Sequence, residues 1–258
     1  MKQVFRLTLM SVLLVAAMVS CKSGGATSSA EAVSDSTPPE YVSDEQALMD
    51  LRKEQAVGSS EVTLLIEDYE GHRQVRSGET NTGNLFCDAL RYFVHADISL
   101  VGGGVIRTNI PSGTITYNDI AKLFPFNNYV YKVEVTGEDI LGVLEFGTRT
   151  TGGGESGDFP QCSGISYTVH TSDHRLTDVV ILRPDGSREP LEPEKTYTLA
   201  TLDYCVDGGF HNLLMNCPIL EKTETLASDA VYYYIREHLD GVIDSSYAIP
   251  QGRIHVVD

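Results

Sequence analysis

The chain has 258 residues, 41% of them hydrophobic, and 19 Lys and Arg against 36 Asp and Glu, for a formal net charge of -17. That length suffices for one large domain or two small ones. The acidic balance repels phosphate backbones and excludes nucleic acid as a partner, while a local arginine cluster still suits a small anion.

The first residues read as a targeting segment. Lys2 and Arg6 precede an apolar stretch from Leu7 to Val19, shorter than a bilayer span requires. Residues 1–20 are therefore expected to be a signal peptide. Ser20 before Cys21, closing the apolar run, resembles the lipobox of bacterial lipoproteins, although Met18 replaces the usual Leu. Cys21 is the expected lipidation site; the competing reading is an ordinary leader with a chance cysteine. Residues 21–42 are rich in Ser, Gly, Ala and Pro and read as a flexible tether. This predicts a lipid-anchored protein of the cell envelope, periplasmic or outer-membrane-associated.

Residues 43–60 read as an N-terminal helix and its connection, with Ser43 as cap, helix through Val57, and Gly58 as stop. Glu61 to Tyr69 reads as a strand. Asn84 to Val94 presents one broad apolar face through Leu85, Phe86, Ala89, Leu90, Phe93 and Val94, which predicts a helix. Asp97 to Val101 is a short buried strand running into Gly102-Gly103-Gly104. Tyr117 to Leu123 is a short helix, stopped before Pro125. Tyr129 to Val135 alternates as a strand, and Thr136 caps a helix to about Gly147 with Asp139 at the capping-box position. Strands follow at Ile165 to His170, Thr177 to Leu182 and Tyr197 to Leu202, with Pro184-Asp185-Gly186 as a turn. Ala227 to Leu239 reads as a terminal helix and Arg253 to Val257 as a closing strand. The pattern predicts a single α+β domain over residues 61–258, with a mixed β-sheet flanked by helices. Cys87, Cys162, Cys205 and Cys217 match no zinc spacing. Buried free thiols are expected for at least some of the four.

Seven stretches, in order, resemble the C-terminal domain of bacterial 5′-nucleotidases and UDP-sugar hydrolases. They are GETNTGNLFCDALR (78–91), ADISLVGGGVIR (96–107), ITYNDIAKLFPFNN (115–128), VTGEDILGVLE (135–145), GDFPQCSGISY (157–167), EKTYTLATLDY (194–204) and the glycine pair at 208–209. The resemblance implies that domain's fold from residue 61 onward. It also implies a division of labour, in which a separate metallophosphatase domain holds two metal ions and the attacking water. The C-terminal domain then holds the nucleoside and clamps the phosphate. A two-metal centre needs clustered Asp, His and Asn ligands. The family's motifs D-x-H, G-D-x-x-D, G-N-H-[ED] and G-H-x-H do not occur in these 258 residues. No cofactor is expected in this chain; divalent metals are expected only in a separately encoded metallophosphatase.

Guanidinium forks match phosphate oxygens. The resemblance makes Arg76 and Arg107 phosphate-facing, with Arg73 as a third; the bland alternative pairs them with surface carboxylates. The glycines before Arg107 suggest close approach of a ligand to the backbone. The resemblance also implies that Phe126 and Tyr204 sandwich a nucleobase and that Asn128 contacts it, against the alternative of ordinary core aromatics. In Gly208-Gly209-Phe210-His211, Phe210 stands where the family places a ribose-binding Asp, and Asp207 lies three positions away. The resulting expectation is a domain that recognises a nucleotide or nucleoside and contributes to nucleotide catabolism with a catalytic subunit. The alternatives are a non-catalytic binding lipoprotein repurposed for another small ligand, or a purely structural surface protein.

Overall fold

A computed structural model describes residues 50–258. The signal peptide, Cys21, the tether and the expected helix start at Ser43 lie outside the described residues.

The centre of the fold is a five-stranded mixed sheet. Its members are β2 (Ile98–Gly102), β4 (Tyr129–Thr136), β5 (Pro160–Ser163), β9 (Thr196–Leu202) and β10 (Ile219–Leu226), in the order β10-β4-β9-β2-β5. β2 runs parallel to β9, and the other pairs are antiparallel. Two smaller sheets accompany it. One joins β1 (Ala56–Ser60) to β3 (Gly113–Thr116) and β11 (Val242–Ile243). The other has the order β12-β6-β7-β8, from β6 (Ile165–His170), β7 (Leu176–Leu182), β8 (Arg188–Pro190) and β12 (Ile254–Val257). The expected α+β class and mixed sheet are both present.

The helices follow local chemistry. α1 (Asn81–Phe93) starts at Thr80, whose hydroxyl accepts from the Gly83 amide. Its apolar face is fully enclosed: Leu85, Phe86, Cys87, Ala89 and Leu90 are all 0% exposed. α2 (Tyr117–Leu123) and α3 (Gly137–Thr148) each begin with a capping box, Thr116 with Asp119 and Thr136 with Asp139. A short α4 (Asp203–Val206) follows β9, and α5 (Ala227–Tyr233) continues into a π-helical turn, Tyr234–His238. Among the described residues, no helix is long and apolar enough to cross a membrane.

Two expected elements are corrected. The N-terminal helix does not reach Val57, because residues 56–60 form β1, held between antiparallel β3 and parallel β11. Gly58 is a close-packing residue there, not a helix stop: a Cβ would lie 2.2 Å from the Gly241 carbonyl oxygen. The expected strand over residues 61–69 keeps only a bridge between Leu64 and Ile110. Side chains replace its ladder: the amides of Leu65 and Ile66 donate to Asn81 and Asn109.

Under α1 lies a buried polar network. The Glu79 carboxylate accepts from Asn84 Nδ2 and from the amides of Gln251, Arg253 and Ile254. Arg253 pairs with Asp88 at 2.8 Å, and Asp88 also accepts from Ser163 and Tyr247. Among the described residues, Cys87, Cys162, Cys205 and Cys217 are free thiols; the first three are buried and Cys217 is half-buried.

Candidate functional site

At the C-terminal end of β2, five loops surround a cleft of about 430 Å³. All five residues singled out in the sequence as ligand-facing line it: Arg76, Arg107, Phe126, Asn128 and Tyr204. Arg76 comes from a 3-10 turn at Gln74–Arg76. Arg107 follows the turn after β2, where its amide donates to the Leu123 carbonyl at 2.9 Å. Phe126 and Asn128 lie between α2 and β4, and Tyr204 is in α4. Gly104, Val105, Gly157 and Asp158 complete the lining.

The arginines concentrate positive charge. Burial lowers the pKa of Arg73, and the neighbouring Arg76 and Arg107 charges lower it further. One Arg73 nitrogen donates to the Ile106 carbonyl at 2.7 Å. The Nε atoms of both Arg73 and Arg76 are buried without a partner. Arg76 and Arg107 have no ion pair among the described residues, so the surface-pairing alternative does not describe them. Elsewhere, Arg183 and Arg253 are paired with carboxylates. Arg76 is half-buried and Arg107 exposed, and unpaired guanidinium groups are donors available to an oxyanion.

The aromatic side is built to match. Phe126 is half-buried, set edge-on to Phe124 at 5.4 Å, with the Arg107 guanidinium 5.2 Å from its ring centre. Tyr204 is 40% exposed. Burial of the rest of the side chain, with Cys205 and Asp158 nearby, pushes its phenol up to about 12, so it remains a protonated donor at neutral pH. The two rings line one cleft rather than separate cores, and no ring contact joins them among the described residues. Asp203 ties the two sides together: one carboxylate oxygen accepts from Asn128 Nδ2 and from the Tyr204 amide, each at 2.7 Å.

Three sequence readings change. The glycine run does not simply open the backbone to a ligand. A Cβ at Gly102 or Gly104 would lie 2.6 or 2.8 Å from Gly157, and one at Gly103 would lie 1.8 Å from the Val75 carbonyl oxygen. The run lets three chain segments meet, and only Gly104 reaches the cleft. Phe210 is 2% exposed and packed in the core. It therefore fills space, and neither Phe210 nor Asp207 is among the residues that line the cleft. The glycine pair has another role: a Cβ at Gly209 would meet the Tyr204 ring at 2.8 Å.

The sequence reading missed Asp158, Asp203 and Gly209. Among the described residues, Asp158 is the single carboxylate lining the cleft, and it pairs with Arg149 at 3.2 Å. The GDFPQ stretch was noticed, but an acidic loop residue carries no local sign that walls will close around it. Among the described residues, no group of three or more His, Cys, Asp or Glu is placed to hold a metal ion. The donor set here does not fit a metal centre, and no metal-dependent step is assigned to it.

Comparisons with known proteins place the fold in a family. Residues 56–214 match the model of the 5′-nucleotidase C-terminal domain. The chain is 34% identical over 165 residues to the trifunctional nucleotide phosphoesterase protein YfkN of Bacillus subtilis, covering 61% of this chain and 11% of that protein. It is 28% identical over 222 residues to protein UshA of Escherichia coli, covering 84% and 38%. Among solved structures, a 5′-nucleotidase precursor from Thermus thermophilus superposes with a TM-score of 0.70 at 27% identity, over 83% of this chain and 41% of that one. The chain thus spans less than half the length of each of these relatives. With the matched segment covering four of the five strands of the central sheet and the cleft-forming segments, the chain belongs to the 5′-nucleotidase C-terminal domain family.

Proposed function

We propose that the cleft recognises a nucleoside monophosphate, with its base between Phe126 and Tyr204 and its phosphate on Arg76 and Arg107. The observation that carries this reading is the convergence of unpaired arginines and two separated aromatic faces in one cavity. Stacking suits any planar base, and a guanidinium fork suits a phosphate. Asn128, oriented by Asp203, offers a polar contact to the base edge. Asp158 is the acceptor available to sugar hydroxyls.

In this reading the domain supplies recognition for nucleotide catabolism. The bond-breaking metal centre comes from a metallophosphatase domain or a separately encoded subunit. The chain reaches the cell envelope, where acylation of Cys21 attaches it to a membrane. Fatty-acid-analogue labelling tests the anchor; a Cys21→Ala protein labelled and membrane-bound to the same extent contradicts it.

Calorimetry with AMP, adenosine and inorganic phosphate tests the cleft. AMP is expected to bind more tightly than either fragment. Phe126→Ala should weaken AMP and adenosine alike, by roughly 1–3 kcal/mol, and leave phosphate unchanged. Absence of nucleotide binding would favour the second reading, a cleft repurposed for another small anion, for which the core position of Phe210 already speaks.

A further inference from the structure

A second cavity, of about 450 Å³, lies at the opposite end of the β2–β5 ladder. The register separates the two: Gly102 pairs with Pro160 at the cleft end, and Ser99 with Ser163 at the other. Asp88, Arg91 and Tyr92 of α1 line this cavity, with His95, Ser163, and Tyr234 and His238 of the π-helical turn among the remaining walls. Such turns are rare and recur at functional sites.

Arg91 is the unusual member. It is half-buried, and its guanidinium has no hydrogen bond or ion pair among the described residues. Two carboxylates are near enough to act on it electrostatically, Asp88 and Asp97. Both are already engaged. Asp88 accepts from Ser163, Tyr247 and Arg253. Asp97 accepts from the Thr198 amide, the Thr198 hydroxyl and Arg183. The chain nevertheless makes room for Arg91: Gly164 has φ +75°, and a Cβ there would lie 2.8 Å from Arg91 Nε.

Two imidazoles share the cavity. His95 and His238 lie against Tyr92 with ring centres at 6.0 and 4.5 Å, and His238 stacks on Tyr234 at 5.0 Å. Neither imidazole has a hydrogen bond among the described residues. A basic residue in the last turn of a helix offsets the helix dipole, and Arg91 and His238 each hold such a place in their own elements. That effect does not require the two elements to bring these groups to one cavity, which they do. The Asp88 carboxylate in the wall is taken up by Ser163, Tyr247 and Arg253, so in a chain of net charge -17 the Arg91 guanidinium and the two exposed imidazoles suit a ligand that supplies the acceptor.

The geometry points to a second binding site here, for a small oxyanion, with the Arg91 guanidinium gripping a carboxylate or phosphate group and the His95 and His238 imidazoles closing over it. The site does not depend on nucleotide binding at the first cleft.

The test uses the full chain carrying Arg76→Ala and Arg107→Ala, which silences the first cleft. Inorganic phosphate and citrate are titrated separately while the ring resonances of His95 and His238 are followed by NMR. Saturable shifts of both rings are expected with at least one probe, and the responding probe identifies the ligand's acid group. Adding Arg91→Gln should weaken that response about tenfold or more. If Arg91→Gln does not fold, His238→Gln replaces it, with a weakening of about threefold expected. No saturable shift with either probe at millimolar concentration overturns the site, as does unchanged affinity in the folded variant.

Discussion

The buried network beneath α1 and the cleft beyond β2 treat charge in opposite ways. Beneath α1, Glu79 accepts from four donors, and Asp88 and Arg253 satisfy each other together with Ser163, Tyr247 and the Cys162 carbonyl. In the cleft beyond β2, Arg73 and Arg76 keep buried Nε atoms without partners, and Arg107 faces an aromatic ring instead of a carboxylate. A charge whose partners all lie within the chain holds the fold together. A charge left open at a cavity wall is available to something that is not the chain. The same contrast divides the family-like motif at 78–91, much of which is scaffold: its Glu79, Thr80, Asn81 and Asp88 bond to other parts of the protein, and Asn84 holds Glu79 in place.

Breaking the closed network should give the largest effect. Arg253→Met leaves the Asp88 carboxylate buried without its cation, and urea unfolding should show a loss of about 3–5 kcal/mol. A loss below about 1 kcal/mol would remove the distinction between the two regions.

Opening the cleft should do the reverse. Arg107→Ala is expected to change stability by less than about 0.5 kcal/mol, as for a surface position. The same change should weaken AMP at least about tenfold, near 1.4 kcal/mol, and leave adenosine untouched. Equal weakening of AMP and adenosine would assign Arg107 a packing role on Phe126 instead.

The smallest effect concerns the sugar. Asp158 already shares its carboxylate with Arg149, so adenosine should exceed deoxyadenosine in affinity by only about threefold. Asp158→Asn should bring the ratio to about one, the change expected when a single modest hydrogen bond is lost. A ratio unaltered by Asp158→Asn would place the sugar elsewhere. Phe210→Asp, which would install the family's acceptor on paper, should instead destabilise the protein, because it puts a carboxylate into the core.

What the sequence disclosed followed from how local each signal is. α3 was legible because Thr136 announces its helix three residues ahead of Asp139, and α2 because Pro125 marks its end; the matching cap of α2, Thr116 with Asp119, is a further local signal that the structure shows. β1 was not, since its partners lie as far away as Val242, and a helical pattern runs into it from upstream. β5 was missed for a different reason. Its Gln161 is fully buried yet polar, satisfied by the carbonyls of Val75 and Gly78 far away in sequence. The five residues that line the cleft emerged through motif order, which links positions from 76 to 204 without any local periodicity. Asp158 and Asp203 escaped because a carboxylate's role depends on which side chains arrive beside it. Phe210 escaped because motif position does not state which way a side chain points.

The most direct test is a crystal structure of the full chain with AMP bound. The account predicts adenine between the Phe126 and Tyr204 rings, with the phosphate within hydrogen-bonding distance of Arg76 and Arg107. AMP bound outside this cleft, or bound in it with its phosphate turned away from both arginines, would contradict it.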